Sequence, residues 1–334
     1  MQPTPRSLLD QWPYDGAHEH VTIGLVNNMP DAALRTTDRQ FCELLSAAAQ
    51  ELRVRLRIFS IPDVPREAAG RSHVAENHED IGALWDSRID GLIVTGTEPR
   101  APNLSEEPYW PVLTRLADWA EQHTVSTIWS CLAAHAAVLH RDGIRRHALP
   151  AKLSGLYECV KLTDHALLAG IPARWRLPHS RCNGLSEEAL ASRGYRILSR
   201  SPEAGVDLFA RQGDSLFLFV HGHPEYDPGA LFREYRRDVG RFLAGERDTY
   251  PAMPVDYFDQ ATAAAMTRFR DLAFQHRRPD IMSGFPVYDA RHMAHAWRGA
   301  AVRLYANWLF HLASQIARTR ARAPSARPPA RVGT

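Results

Sequence analysis

Short apolar runs alternate with amphipathic segments along the first two thirds of this chain, and that alternation narrows the fold more than any other feature. Val21 to Val26, Ile89 to Val94, Val125 to Trp129 and Leu216 to Val220 are apolar runs of strand length that end in polar or glycine-containing turns. Arg53 to Phe59 alternates charge with apolar side chains and reads as a strand with one wetter face. Between the runs, Ala33 to Leu52 carries Phe41, Leu44, Leu45 and Ala48 at helical spacing, and Tyr109 to Gln122 carries Trp110, Leu113, Leu116 and Trp119. Strands separated by helices need right-handed crossovers. The expectation is an α/β fold, a mostly parallel, doubly wound sheet with helices on both faces.

Ligands of such sheets bind beyond the carboxyl ends of the strands. Asn27 to Pro30, Thr95 to Arg100, Cys131 and His223 all fall at such ends, so four loops are expected to converge on one rim. Cys131 follows its strand at once and precedes an alanine-rich segment of helical character. This strand–cysteine–helix order would expose the sulfur on a sharp turn and aim the first helix amides at whatever it attacks. A helix N-terminus favours the thiolate, the reactive form. The Leu216 to Val220 strand runs into His221, Gly222, His223, Pro224 and Glu225. In an extended segment His223 and Glu225 point the same way, so the imidazole can face the cysteine while the carboxylate orients it. A buried structural cysteine and a solvated acid after a histidine-rich strand are the bland alternatives. Both stretches together favour a nucleophile, base and orienter.

The rest of the chain is less regular. Lys152 to Leu162 looks like an irregular β segment, Leu177 to Arg181 like a polar loop entry, and Tyr195–Ser199, Val206–Ala210 and Leu216–Val220 like short, partly antiparallel strands. Residues 228–243, 256–278 and 290–317 are expected as C-terminal helices. The last carries Met293, Trp297, Leu304, Trp308 and Leu309 as a stripe that packs on the sheet or on a partner subunit. Residues 1–20 read as an irregular lead-in, 21–317 as one domain, and 318–334, with five Arg, three Pro and no acid, as a disordered tail. A net charge of +2 argues against a dedicated nucleic-acid binder, and no apolar run reaches membrane-span length. The absence of an apolar leader segment makes a cytoplasmic protein the expectation. Four scattered cysteines without a C-x-x-C pair suggest reduced thiols. His221 and His223 lack an evident third ligand, so no metal is expected.

Several stretches carry a resemblance. They are Asn27 to Pro30, Asp90 to Gly96, Tyr109 to Pro111, Ser130-Cys131, Lys152 to Glu158, Pro178 to Arg181, Gly222 to Asp227 and Glu234 to Asp238, in that order. With them the chain resembles the homoserine O-succinyltransferase family, acyl-CoA-dependent enzymes of methionine synthesis with a fold like class I glutamine amidotransferases (flavodoxin-like). The resemblance implies a succinyl transfer from succinyl-CoA to L-homoserine, with no resident cofactor, in a homodimer. It assigns Cys131 as nucleophile, His223 as base, Glu225 as orienter, and Lys152, Ser180 and Arg237 as substrate-binding residues. The oxyanion would face the backbone N–H of Leu132 and one near Thr97. Three positions depart from the family pattern: Leu132 stands where an aromatic residue is usual, Asn28 where leucine is, and Arg100 at the acyl-selecting position, where an acid goes with acetyl transfer and a small residue with succinyl transfer. A guanidinium suits a planar carboxylate, so Arg100 is expected to pair with the free carboxylate of succinyl-CoA; a solvated Arg, or a partner of Glu106 or Glu107, is the alternative. Acetyl-CoA as donor, and another hydroxy amino acid such as serine as acceptor, stay open. So does a glutaminase or cysteine hydrolase, although the cysteine lacks the flanking glycines usual in amidotransferases.

Overall fold

A computed structural model describes residues 20–289 and 295–322. The chain order is β1 (Val21–Val26), α1 (Asp31–Ala49), β2 (Val54–Phe59), α2 (Ala68–Asn77), α3 (Gly82–Trp85), β3 (Gly91–Val94), α4 (Trp110–His123), β4 (Ser126–Ser130), α5 (Leu132–Asp142), β5 (His147–Lys161), β6 (Arg174–Gly184), α6 (Glu187–Ser192), β7 (Arg196–Ser201), β8 (Gly205–Gln212), β9 (Leu216–Val220), α7 (Ala230–Leu243), α8 (Gln260–Gln275) and α9 (Arg298–Arg322). All nine strands join one sheet in the order β2-β1-β3-β4-β9-β8-β7-β5-β6. The pairings from β2 to β9 are parallel. Those from β9 to β6 are antiparallel. The doubly wound parallel half matches the expected fold, and an antiparallel extension continues it.

Successive residues of a strand face opposite sides, and both sides are covered, which is why β1, β3 and β9 read as mostly apolar runs. Trp129, Phe217 and Phe219 pack with Leu113 and Leu116 of α4 on one face. Ile23, Leu25, Ile128 and Leu218 pack on the other with Phe41 and Leu45 of α1 and Trp308, Leu309 and Leu312 of α9. Gly91 is what lets α9 approach β3: a Cβ there would lie 2.5 Å from Leu312 Cδ1 and 2.9 Å from the Trp308 ring. Trp308 also donates its indole N–H to Ser126 Oγ at 2.9 Å, which satisfies the one polar atom of a fully buried ring.

Three expectations need correction. The 177–181 segment is not a loop entry but the middle of β6, paired with β5 through Leu153↔Arg181 and Ser154↔Ser180. Pro178, which cannot donate to a ladder, disguises the strand. The last helix begins at Arg298, not 290, and continues to Arg322, so the first five residues of the expected tail are helical. Its apolar stripe is used inside the chain: Trp297, Trp308 and Leu309 are fully buried and Leu304 nearly so. Met293, residues 1–19 and residues 323–334 lie outside the described residues. No helix among the described residues is long and apolar enough to cross a membrane.

Candidate active site

Cys131 sits between β4 and α5 with φ 51° and ψ −113°, a backbone conformation a non-glycine residue rarely adopts. Such strain costs on the order of 1–3 kcal/mol and persists only where the surroundings impose it. Here its N–H is tied to the Val220 carbonyl at 2.7 Å, and its own carbonyl accepts from Ala134 N–H at 3.0 Å as the helix begins. Cys131 is partly exposed while its neighbours in sequence, Ser130 and Leu132, are buried. Val220 is the last residue of β9, so the bond that shapes the elbow also fixes the segment bearing the base.

His223 Nδ1 lies 2.8 Å from Glu225 Oε1, and Cys131 is near enough to act on the charge of the ring. The two residues meet across a turn rather than along an extended strand, since the backbone after Val220 is no longer ladder-paired. His223 N–H donates to the Pro178 carbonyl of β6 at 2.8 Å, and Tyr226 stacks on its ring at 4.2 Å. Burial is the strongest single influence on His223 and pulls its pKa down. The Glu225 carboxylate and the neighbouring Cys131 together outweigh it, and the imidazole is held well above its ordinary value.

The three sequence-assigned substrate residues converge on two carboxylates of α7. Ser180 donates to Glu234 Oε2. Lys152 Nζ reaches Asp238 Oδ2 at 2.8 Å and Glu234 Oε2 at 3.6 Å. Arg237 donates to Asp238 Oδ1 from Nε at 3.0 Å and Nη2 at 2.9 Å. Burial tends to raise the Asp238 pKa, but Lys152 and Arg237 override it and the carboxyl sits below its usual range. Tyr226, already stacked on His223, donates its hydroxyl to Glu234 Oε1, linking this cluster to the base. Glu234 and Asp238 are four apart, so they share a helix face. The register shift in β5 between Ala148 and Leu153 brackets Lys152; such bulges re-aim side chains. Glu234, expected near the site if the 228–243 helix begins beside it, is there; Tyr226 and Asp238 fall in stretches that carry the resemblance but receive no role from it, the four-residue spacing of Glu234 and Asp238 being the available signal.

The loop after β3 presses on the elbow. A Cβ on Gly96 would sit 2.7 Å from Leu132 Cβ and 2.9 Å from Leu132 N, so only glycine permits this approach. That brings the Gly96–Thr97 backbone beside the unpaired first amides of α5. Asn28, a departure from the family pattern, knits three strand ends: its N–H donates to Thr95 Oγ1 at 2.8 Å, its amide to Thr95 O at 3.2 Å, and its Oδ1 accepts from Ile61 N–H at 3.1 Å. Arg100 is exposed. Glu107 Oε1 accepts the backbone N–H of Arg100 at 2.5 Å and of Ala101 at 2.7 Å, which orders the loop without engaging the guanidinium.

Among the described residues, two groups of possible metal ligands lie elsewhere, Asp38/His73/His78 and Cys159/His179/Asp207. In the first, the Asn77 amide N–H donates to His73 O at 2.9 Å and faces His73 Nδ1 at 3.1 Å. His73 therefore carries its proton on Nε2 and donates it to Asp38 at 2.7 Å, where a metal would need a lone pair. In the second, Asp207 already accepts from Ser199 Oγ at 2.9 Å and Gly222 N–H at 3.2 Å.

Comparison with known proteins places these residues in context. The family model for homoserine O-succinyltransferase matches residues 14–319. A homoserine O-succinyltransferase of Rhodopseudomonas palustris is 52% identical over 296 residues, 88% of this chain and 89% of that protein. One from Methylorubrum extorquens is 46% identical over 307 residues, 92% of this chain and 91% of that protein. Among solved structures, a glutamine amidotransferase from Thermotoga maritima shares the fold with a TM-score of 0.51 at 11% identity, over 87% of this chain and 99% of that one. Another from Methylobacillus flagellatus gives 0.50 at 16% identity, over 88% and 96%.

Proposed function

The chain belongs to the homoserine O-succinyltransferase family, and from that premise we propose that it moves a succinyl group from succinyl-CoA to the hydroxyl of L-homoserine through a thioester on Cys131, a step of methionine synthesis. The observation that carries the reading is the contiguity of two groups: the Cys131–His223–Glu225 array and, one stacked tyrosine away, the Lys152/Ser180/Arg237/Glu234/Asp238 cluster.

In the first half-reaction the Cys131 sulfur attacks the thioester carbonyl and the C–S bond to CoA breaks. The imidazolium proton of His223 goes to the departing CoA thiolate. The tetrahedral oxyanion sits against the amides of Leu132 and of the Gly96–Thr97 turn, each such donor being worth about 3 kcal/mol. One thioester replaces another, so the acyl-enzyme keeps the acyl group activated. In the second half, neutral His223 takes the proton of the acceptor hydroxyl, its oxygen attacks the acyl carbon, and the Cys131–acyl bond breaks. Glu225 keeps the ring oriented in both. The α7 cluster offers cations for the acceptor carboxylate (Lys152, Arg237) and an acid, Glu234, for its ammonium, a pattern suited to a zwitterionic amino acid. Arg100, whose guanidinium makes no hydrogen bond or ion pair among the described residues, is assigned the free carboxylate of the succinyl group.

The test is CoA-thiol release. Succinyl-CoA with L-homoserine should give parallel double-reciprocal lines, the mark of a substituted enzyme, and Arg100→Glu should shift preference toward acetyl-CoA. Intersecting lines, or hydrolysis of glutamine in place of CoA release, would contradict the proposal. Equal rates with L-serine would broaden the acceptor and leave the mechanism standing.

A further inference from the structure

Acyl transfer as written makes no use of the buried imidazoles of His135 and His221. His135 lies on α5, one helical turn beyond Cys131. His221 lies at the exit of β9, two residues before His223. Their Nε2 atoms are 3.1 Å apart and their rings stand at 86°, with His135 3% exposed and His221 fully buried. The proton positions follow from one contact. His221 Nδ1 is 2.7 Å from the Val206 carbonyl, which can only accept, so Nδ1 carries the hydrogen. In a neutral ring Nε2 is then a lone pair, and His135 must donate its own Nε2–H to it.

Protonating His221 would put a second hydrogen between the two Nε2 atoms and set two donors face to face. The surroundings oppose that. Burial lowers the pKa of both, His221 down to about 3. Arg181 from β6 and His147 from the start of β5 act on both rings with the same sign, and Arg146, just before β5, acts on His135. The pair therefore remains one neutral, directional hydrogen bond across the working range.

Its placement gives the bond a role. Nucleophile and base sit on different segments, and proton transfer between them tolerates little drift. Backbone bonds hold each to the sheet: Cys131 N–H to Val220 O at 2.7 Å and His223 N–H to Pro178 O at 2.8 Å. The imidazole pair is a direct side-chain tie between the elbow helix and the base segment. We propose that His135 and His221 are positioning residues whose mutual hydrogen bond holds Cys131 and His223 in register. This rests on the Cys131–His223 pairing of the proposed function.

The experiment is the rate of Cys131 alkylation by iodoacetamide across pH, on the full chain. It is read by peptide mass at Cys131 because Cys182 is also exposed. No acyl donor or acceptor is needed. His135→Leu removes the donor and His135→Gln keeps an amide donor. The expectation is that His135→Leu slows alkylation at neutral pH about 10-fold or more and makes the rate climb with pH as for an unassisted thiol, while His135→Gln stays within about 3-fold of wild type. Melting curves report any loss of stability separately, and a purely structural role would not change the shape of the pH profile. An unchanged profile in His135→Leu beside a reactive wild type would overturn the inference alone, as would equal impairment of both variants. A wild-type Cys131 no faster than a free thiol would overturn the underlying pairing as well.

Discussion

Replacing Glu225 by Gln removes one charge and little volume from the triad, and its effect can be sized from one distance. Glu225 Oε1 is 2.8 Å from His223 Nδ1, and the residues are 5% and 4% exposed. With an effective dielectric near 20, unit charges at that distance attract by about 6 kcal/mol, and relaxation plus the amide dipole brings the loss to about 3–6 kcal/mol. At about 1.4 kcal/mol per unit, the His223 pKa should fall by about two to four units. Burial, the largest influence on the ring, would then be opposed chiefly by Cys131, and His223 should drop from well above 6.5 to below it. The assay is histidine 15N NMR against pH, with the His223 signals identified by their loss in His223→Asn. A wild-type His223 that titrates above neutrality and a Glu225→Gln His223 that is neutral at pH 7 are expected, with kcat down on the order of 1000-fold. The sign carries over to stability. A folded pKa raised above the unfolded 6.5 contributes fully below 6.5 and is lost as pH rises through the raised value. The wild-type advantage in denaturant unfolding should therefore be largest in mild acid and shrink in alkali. A His223 titration that moves by less than about half a unit in Glu225→Gln would refute the reasoning.

Other outcomes follow from the same geometry. Gly96→Ala pushes a methyl to 2.7 Å from Leu132 Cβ, and should slow thioester formation by about 100-fold, read by single-turnover acylation; an unaffected rate would remove the Gly96 turn from the oxyanion site. Lys152→Gln should raise the acceptor KM about 10–100-fold while leaving acylation unchanged, as steady-state and acceptor-free assays would separately report. Asp38 accepts from Asn27, His73 and His78 at 2.7, 2.7 and 2.9 Å, so Asp38→Asn should cost about 3 kcal/mol in urea unfolding at pH 7. Burial tends to raise the Asp38 pKa, yet those donors leave it below 3.8, so its contribution exists above 3.8 and disappears as pH falls through the lowered value. Wild type and Asp38→Asn should converge in acid, and a constant gap would contradict the assignment.

The strands that carry the site are legible in the sequence because both their faces are buried: β1, β3 and β9 are mostly apolar runs, β4 (Ser126–Ser130) is built of small polar and apolar residues, and the ends of β4 and β9 point to Cys131 and His223. β6 is not legible, because its strand character comes from β5 supplying partners to a proline-containing, polar stretch. Whether a polar side chain is satisfied depends on its cross-strand neighbour, which periodicity does not encode. For the same reason Lys152, Ser180 and Arg237 can be singled out by resemblance, but their shared seat on Glu234 and Asp238 cannot, since it joins β5, β6 and α7 in space. His221 invites a metal-ligand reading in the sequence because its true partner, His135, is 86 residues away. The aromatic stripe of α9 is readable as a buried face, though its spacing alone does not say that the chain's own sheet covers it.

The central claim, a covalent acyl-enzyme on Cys131, is tested most directly by intact mass after mixing the protein with succinyl-CoA in the absence of acceptor. The expected result is an adduct of about 100 Da, the size of a succinyl group, that is absent in Cys131→Ala and discharged by L-homoserine. An adduct that persists in Cys131→Ala, or wild-type protein that turns over succinyl-CoA and homoserine while never carrying the group, would contradict it.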